Sequence, residues 1–468
     1  MGNRMYRSFF LHLSLAIVSA ASSIAPSGSL FAQGQPATVA TQSADKLPLR
    51  LKAKLPDYKG PSRFIGRKAL ITFSPDNHLV AMSGINRTIT IWDTETGELK
   101  AKLKAGSEGI SGFSFSPDGQ TAATRDYLDK SVKLWDVKTW QERATLAGRK
   151  RNLETRFKAG MSYEEEFGPV AFSPDGKTVL SEKEDDLVAV WDVATARQLF
   201  ELNHNTTSSV TKEILKGIFF PRSSTPHWLV LLTGFSSDGR WIFTINGDKS
   251  AKIWDASTGK LKTDITNNER IYRAGFSPDS TRLLTVEQEG GMKLWDMETG
   301  QLQGKVAPKG YVENLMKSFE FSPDSKYLAT FFLGDTRLWD TKTAELKFKL
   351  PKSGTTDATF TPDGRWLAIA SSDKQSAGRI WNVETGEVKV TLPSTGDKSV
   401  SVIFNPEGSI LATSNDKGVM LWDAATGALL ATLSEARYPV AFSSDGRTMV
   451  TGARKDTALL WEVPARAK

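Results

Sequence analysis

Four histidines and no cysteine limit the chemistry open to this chain of 468 residues. Without a thiol there is no disulfide, thiolate metal site, cysteine nucleophile or cysteine-ligated haem or iron–sulfur cluster. His204 and His227 flank one irregular stretch and are the pair that could share a metal, but no organised acidic partner accompanies them. The sequence holds no Gly-x-Ser-x-Gly elbow, no Gly-rich phosphate loop ending in Lys-Ser/Thr, no His-Glu-x-x-His and no EF-hand loop. Its most regular aspartates fall in Ser-Pro-Asp-Gly turns, where a carboxylate shapes the turn and has no catalytic partner. Asn86-Arg87-Thr88 and Asn205-Thr206-Thr207 match glycosylation acceptors. The expectation is no catalytic residue, no metal and no cofactor. A formal charge of +7 from 60 basic and 53 acidic residues suits solubility and gives no argument for nucleic acid.

The elements behind these turns form a repeat. A phenylalanine leads each unit: Phe73, Phe115, Phe172, Phe235, Phe276, Phe321, Phe360, Phe404 and Phe442, each followed by Ser-Pro-Asp-Gly or a close variant. A tryptophan, usually before Asp, ends the rigid part: Trp92, Trp135, Trp191, Trp254, Trp295, Trp339, Trp381, Trp422 and Trp461. Phe-to-Trp separations are 18 to 21 residues, whereas Trp-to-Phe gaps run from 20 to 44. A constant half and an elastic half describe a hairpin module joined by a segment that tolerates insertion. Short β-rich runs such as Trp241–Ile245, spaced by turns, read as strands. After Trp-Asp comes a second turn ending in glycine, as in Asp93-Thr-Glu-Thr-Gly97, because a tight hairpin needs positive φ there. Trp140, Ala196 and Ala344 hold the glycine position in three units, so those turns are either reshaped or strained.

Four strands per unit with Phe and Trp at fixed places resemble the WD40 family of β-propellers, over roughly residues 47–463. The resemblance implies an all-β fold: a single propeller of about nine four-stranded blades, with eight and one displaced unit also fitting the spacing. It implies a structural role for the nine tryptophans. It implies another for Asp129, Asp185, Asp248 and Asp416, which lie six residues before theirs. The family's Gly-His dipeptide is absent, so its Asp–His–Ser/Thr–Trp hydrogen-bond network is not expected in its usual form.

Both ends bear on closure. The last unit stops at Val463 without a fourth strand, while Leu51-Lys-Ala-Lys-Leu55 repeats the fourth strand Leu99-Lys-Ala-Lys-Leu103. The N-terminal strand is therefore expected to complete the last blade and close the ring, removing two sheet edges. Residues 1–32 have a basic start (Arg4, Arg7), the apolar run Phe9–Val18 and small residues after it, the layout of a secretory signal peptide. Cleavage after Ala20 or Ala32 is expected, followed by a flexible linker over 33–46. Location is then periplasmic or extracellular, with no transmembrane span after signal removal.

Most proteins of the resembled family are non-enzymatic interaction scaffolds, and that is the expected function here, for a monomer binding protein partners and no nucleic acid. The alternatives are a propeller enzyme, quinoprotein- or lactonase-like, and a small-ligand sensor using the central channel. The gaps of 37 and 44 residues after Trp135 and Trp191 put two consecutive insertions on one face. They carry the candidate binding residues Arg149, Lys150, Arg151, Arg156, Phe219, Phe220, Arg222 and Trp228, combining arginine and aromatic side chains as interface hot spots do.

Overall fold

A computed structural model describes residues 47–58, 71–84, 88–104, 109–126, 130–148, 170–183, 187–204, 230–246, 250–266, 271–287, 291–307, 316–332, 335–350, 355–371, 376–396, 399, 401–454 and 457–464. The expected signal and linker segments lie outside them. Among the described residues the secondary structure is all strand, arranged in nine antiparallel sheets that form a nine-bladed propeller. Blades are numbered here from the sheet that begins at Ile71. The eight-blade alternative falls, since each Phe–Trp landmark pair has its own sheet. Among the described residues the innermost strand of blade 3 is one bridge, Phe172 to Val179, beside a sheet of three.

Each blade is a meander running from the channel outward. The second and third strands are almost wholly buried, as in Leu79–Ser83 and Ile89–Asp93, whereas the fourth is exposed until a buried aliphatic at its end, as in Leu99–Leu103. Burial on both faces explains the continuous apolar runs before Trp191, Trp422 and Trp461. The pairing register slips at the tryptophan in blade 1, between Ile91 and Trp92, and the eight other blades repeat this. A bulge of that kind adds twist at the outer edge.

Turns lock in shapes that the sequence dictates. In eight blades the Ser or Thr hydroxyl of the first turn donates to the Asp two residues on, at 2.5–2.6 Å. The same oxygen accepts the amide five residues on, at 2.9–3.0 Å. In the second turn the Asp93 carboxylate accepts the amide and hydroxyl of Thr96. Trp140, Ala196 and Ala344 keep positive φ (57°, 54° and 59°), so these turns are strained and not reshaped.

The seams between blades use the same turns. Asn77, Ser280 and Ser325 hold positive φ where most blades have glycine. Each accepts a backbone amide of the preceding blade's turn: Ser444 N–H to Asn77 (2.9 Å), Asp238 N–H to Ser280 (3.0 Å) and Asp279 N–H to Ser325 (2.9 Å). The strain is offset by a bond that a glycine lacks.

Closure follows the sequence expectation. Arg50–Leu55 pairs antiparallel with Ala458–Glu462 and forms the outer strand of blade 9. Leu55, Val450 and Leu460 share one core with Val80 and Trp92 of blade 1. Leu47 reaches the other way, into the core of blades 8 and 9. Deleting residues 47–55 is expected to lower the melting temperature sharply and cause aggregation. Leu55→Ala alone should cost about 2–5 kcal/mol. An unchanged melting temperature with monomeric elution of the deletion variant would show that the strand does not close the ring.

Candidate interaction surfaces

The sequence-derived binding residues Arg149, Lys150, Arg151, Arg156, Phe219, Phe220, Arg222 and Trp228 lie outside the described residues, as does His227. The ends that bracket them are described. One insertion leaves blade 2 after Glu142–Leu146; the other leaves blade 3 after Gln198–Asn203 and re-enters at Val230–Phe235. Both connect an outer strand to the next inner strand. In a meander those connections emerge at the end opposite the two turn sets, which the topology makes the loop face.

At the root of the second insertion stands His204, 1% exposed. Its Nδ1 lies 2.7 Å from the Thr244 hydroxyl and its Nε2 2.7 Å from the Ser250 hydroxyl. Thr244 also accepts the Trp254 indole N–H at 2.9 Å. A His–Thr–Trp chain thus forms at this seam despite the missing Gly-His dipeptide, with Asn203 in the glycine's place. The dipeptide signature is absent here, and the position of His204 just after a fourth strand is the signal the sequence carries. With both ring nitrogens engaged, His204 offers no lone pair to a metal. Burial, reinforced by the Lys252 charge, brings its pKa down to about 3.

The tryptophans share this logic. Each indole lies in a core built with the preceding blade, as Trp422 does with Ala368, Ile380 and Leu392 of blade 7. In seven blades its N–H bonds a hydroxyl two residues beyond its cross-strand partner, at 2.7–3.0 Å. In blades 1 and 7 that place belongs to Met82 and Ile369, and the buried N–H groups of Trp92 and Trp381 have no partner. Of the four repeat aspartates, Asp129, Asp185 and Asp248 lie outside the described residues. Asp416 is exposed, and the buried Asn415 before it holds the turn, accepting the amides of Lys417 (2.8 Å) and Gly418 (3.1 Å).

Acids elsewhere are equally committed. Hydrogen bonds from the Ser257 and Thr258 hydroxyls hold the Asp255 carboxyl below its ordinary range. On the inner strands, Asp357 of blade 7 accepts the Val402 amide of blade 8 at 3.0 Å, and Glu320 of blade 6 lies 3.4 Å from the Phe360 amide of blade 7. Ser114 accepts the Val170 amide in the same way, at 3.0 Å. These side chains cap the unpaired edge of the neighbouring inner strand. Burial pushes the Glu320 carboxyl up to about 8, with the Phe360 amide opposing and the Asp357 charge adding. Among the described residues no group of three His, Asp or Glu is arranged to hold a metal. No described helix is long and apolar enough to cross a membrane.

Comparison with known proteins agrees with the repeat. The family model "WD domain, G-beta repeat" matches residues 97–136, 227–255 and 386–423. A WD repeat-containing protein of the cyanobacterium Synechocystis is 28% identical over 165 residues, covering 32% of this chain and 47% of that protein. Nuclear distribution protein PAC1 of Arthroderma benhamiae is 26% identical over 199 residues, covering 42% and 37%. Small ribosomal subunit protein RACK1y of rice is 31% identical over 147 residues, covering 31% and 38%. The match thus spans less than half of each of these relatives.

The buried imidazole gives a signed pH dependence. Its folded pKa lies below the unfolded 6.5, so its contribution is complete above pH 6.5 and is lost as pH falls toward 3. At pH 5 the loss is roughly 2 kcal/mol. Denaturation midpoints should fall further between pH 7 and pH 5 in the parent than in His204→Gln. Equal pH slopes would show that His204 is not buried neutral.

Proposed function

We propose that this chain, which carries WD40 repeats folded as a nine-bladed propeller, is a non-enzymatic scaffold that binds protein partners outside the cytoplasm. One observation carries the reading: the polar groups that chemistry would need are spent on architecture. The turn carboxylates cap their own loops, the indoles bond the second strands, His204 joins two hydroxyls and the inner-strand acids cap the next blade. A rigid ring built this way presents its variable connections as the binding parts. The two long insertions enter the loop face from consecutive blades, so we assign partner binding to Arg149, Lys150, Arg151, Arg156, Phe219, Phe220, Arg222 and Trp228. The basic start and apolar run of residues 1–32 support export. The engaged state of Glu320 and Asp357 favours no enzyme or channel-ligand reading.

Capture of partners from the protein's own source, read by mass spectrometry, tests the assignment. Replacing Arg149, Arg151, Phe220 and Trp228 by alanine should abolish capture with an unchanged melting temperature, and the exported chain should begin near Ala21 or Gln33. Capture that survives the four changes would rule out the insertions, and a cytoplasmic product beginning at Met1 would rule out export.

A further inference from the structure

The turn face, at the other end of the strands, has its own pattern. Eight large apolar side chains stand exposed among the described residues, and all eight lie at the start of a fourth strand. Seven sit directly opposite the tryptophan of the third strand, just past the second turn. One repeat position thus places an aliphatic at the turn-side rim of every blade except blades 2 and 3, and in blade 3 Leu199 stands one residue further on. Facing the tryptophan explains why part of each side chain is covered. It leaves unexplained an exposure of 36–51% at a position where a lysine stem would cover the ring and keep its charge in water.

What surrounds the aliphatic differs between blades. Beside Leu99 the acids are neutralised: Glu95 pairs with Lys52 at 2.7 Å and Glu98 with Lys100 at 3.4 Å. In blades 5, 6 and 7 one acid of each blade is not. Glu298 lies in the turn before Leu302, while Glu345 and Glu387 directly precede Leu346 and Val388. All three carboxylates are exposed and have no ion-pair partner among the described residues. The nearby cations are held elsewhere. Arg282 pairs with Asp296 (2.7 Å), Lys347 lies 3.2 Å from Glu384, and Lys389 stands over the Trp366 ring at 4.0 Å. Lys342 is the one cation among these second turns.

The three blade edges are also stitched together. The Gln303 amide, next to Leu302, bonds the Lys342 carbonyl in the turn of blade 6. The Lys347 ammonium, next to Leu346, reaches Tyr327 and the Glu384 carboxylate in the turn of blade 7. Aliphatic side chains and carboxylates without an ion-pair partner among the described residues therefore alternate along one continuous rim. We propose that the turn-side rim of blades 5 to 7 docks a cationic amphipathic segment of a protein partner. Its apolar side chains would lie on Leu302, Leu346 and Val388, and its lysines or arginines on Glu298, Glu345 and Glu387. Charge complementarity selects this class, and an acidic or uncharged segment would leave the carboxylates unpaired. The site lies at the opposite end of the strands from the described ends of the insertions, and stands or falls separately from the assignment made above.

The test uses the full chain and a labelled synthetic amphipathic helix of leucine and lysine, with binding read by fluorescence anisotropy. Controls are a lysine–serine peptide of equal charge and a glutamate–leucine helix. Glu298→Lys, Glu345→Lys and Glu387→Lys together should weaken binding by about tenfold or more. Leu302→Ser, Leu346→Ser and Val388→Ser together should do likewise. The charge-reversed residues are exposed, so that variant should keep its melting temperature and remain decisive if the serine variant unfolds. The alanine variant of the insertions should bind the helix as the parent does. Undiminished binding by the charge-reversed variant, equal binding of the lysine–serine peptide, preference for the glutamate–leucine helix, or loss of binding in the insertion variant would each overturn the proposal.

Discussion

Each tryptophan of the repeat holds two sheets. Its ring fills the core between its own blade and the preceding one, and in seven blades its N–H reaches back to a hydroxyl on the second strand. The ring supplies apolar area between twisted sheets, and the hydrogen bond fixes which way it lies. A buried donor left unpaired costs about 1–3 kcal/mol, so the hydroxyl discriminates between rotamers that apolar packing alone would accept. Strand spacing, bulge position and the start of the fourth strand all follow from where that ring sits. Blades 1 and 7, with Met82 and Ile369 in the hydroxyl's place, keep the packing and forgo the bond.

Nine modules held this way still have to meet at the right angle. The contacts that set the seams come from backbone positions under constraint. Asn77, Ser280 and Ser325 accept left-handed φ and gain a bond to the preceding turn; glycines at the matching places lie beside the proline of that turn, as Gly119 does beside Pro75. Asn77 and Ser444 are 367 residues apart in the chain, and their bonds help to close the ring. Polar groups used in this way are unavailable for chemistry. A propeller of this kind presents shape and surface charge, with the second-turn carboxylates at one end of the strands and the described ends of the two insertions at the other.

Much of this was legible in the residues. Phenylalanine and tryptophan landmarks gave the blades, and the repeated Leu-Lys-Ala-Lys-Leu gave the closing strand, because both are local patterns that every unit must satisfy. The details that escaped depend on partners distant in sequence. The role of His204 rests on Thr244 and Ser250, some forty residues on, and the dipeptide signature was absent. Which tryptophans lack a partner follows from register: the residue two beyond the cross-strand pair must be Thr or Ser, a rule visible only once strands are aligned. That Asn415 accepts turn amides beside Asp416 follows from a one-residue offset, which reverses which side chain points inward. The rim of blades 5 to 7 was invisible for another reason, since its meaning lies in which carboxylates lack partners.

The claim on which the account depends is that the hydroxyl, beyond its bulk, orients the tryptophan. Position 413 in blade 8 separates the two effects. Valine preserves the shape of threonine and is more apolar, whereas serine keeps the hydroxyl and loses a methyl, as Ser181 does naturally in blade 3. Denaturant midpoints of Thr413→Val and Thr413→Ser should rank serine above valine, with valine below the parent by about 1–3 kcal/mol. A valine variant as stable as the parent, or more stable than the serine variant, would contradict it.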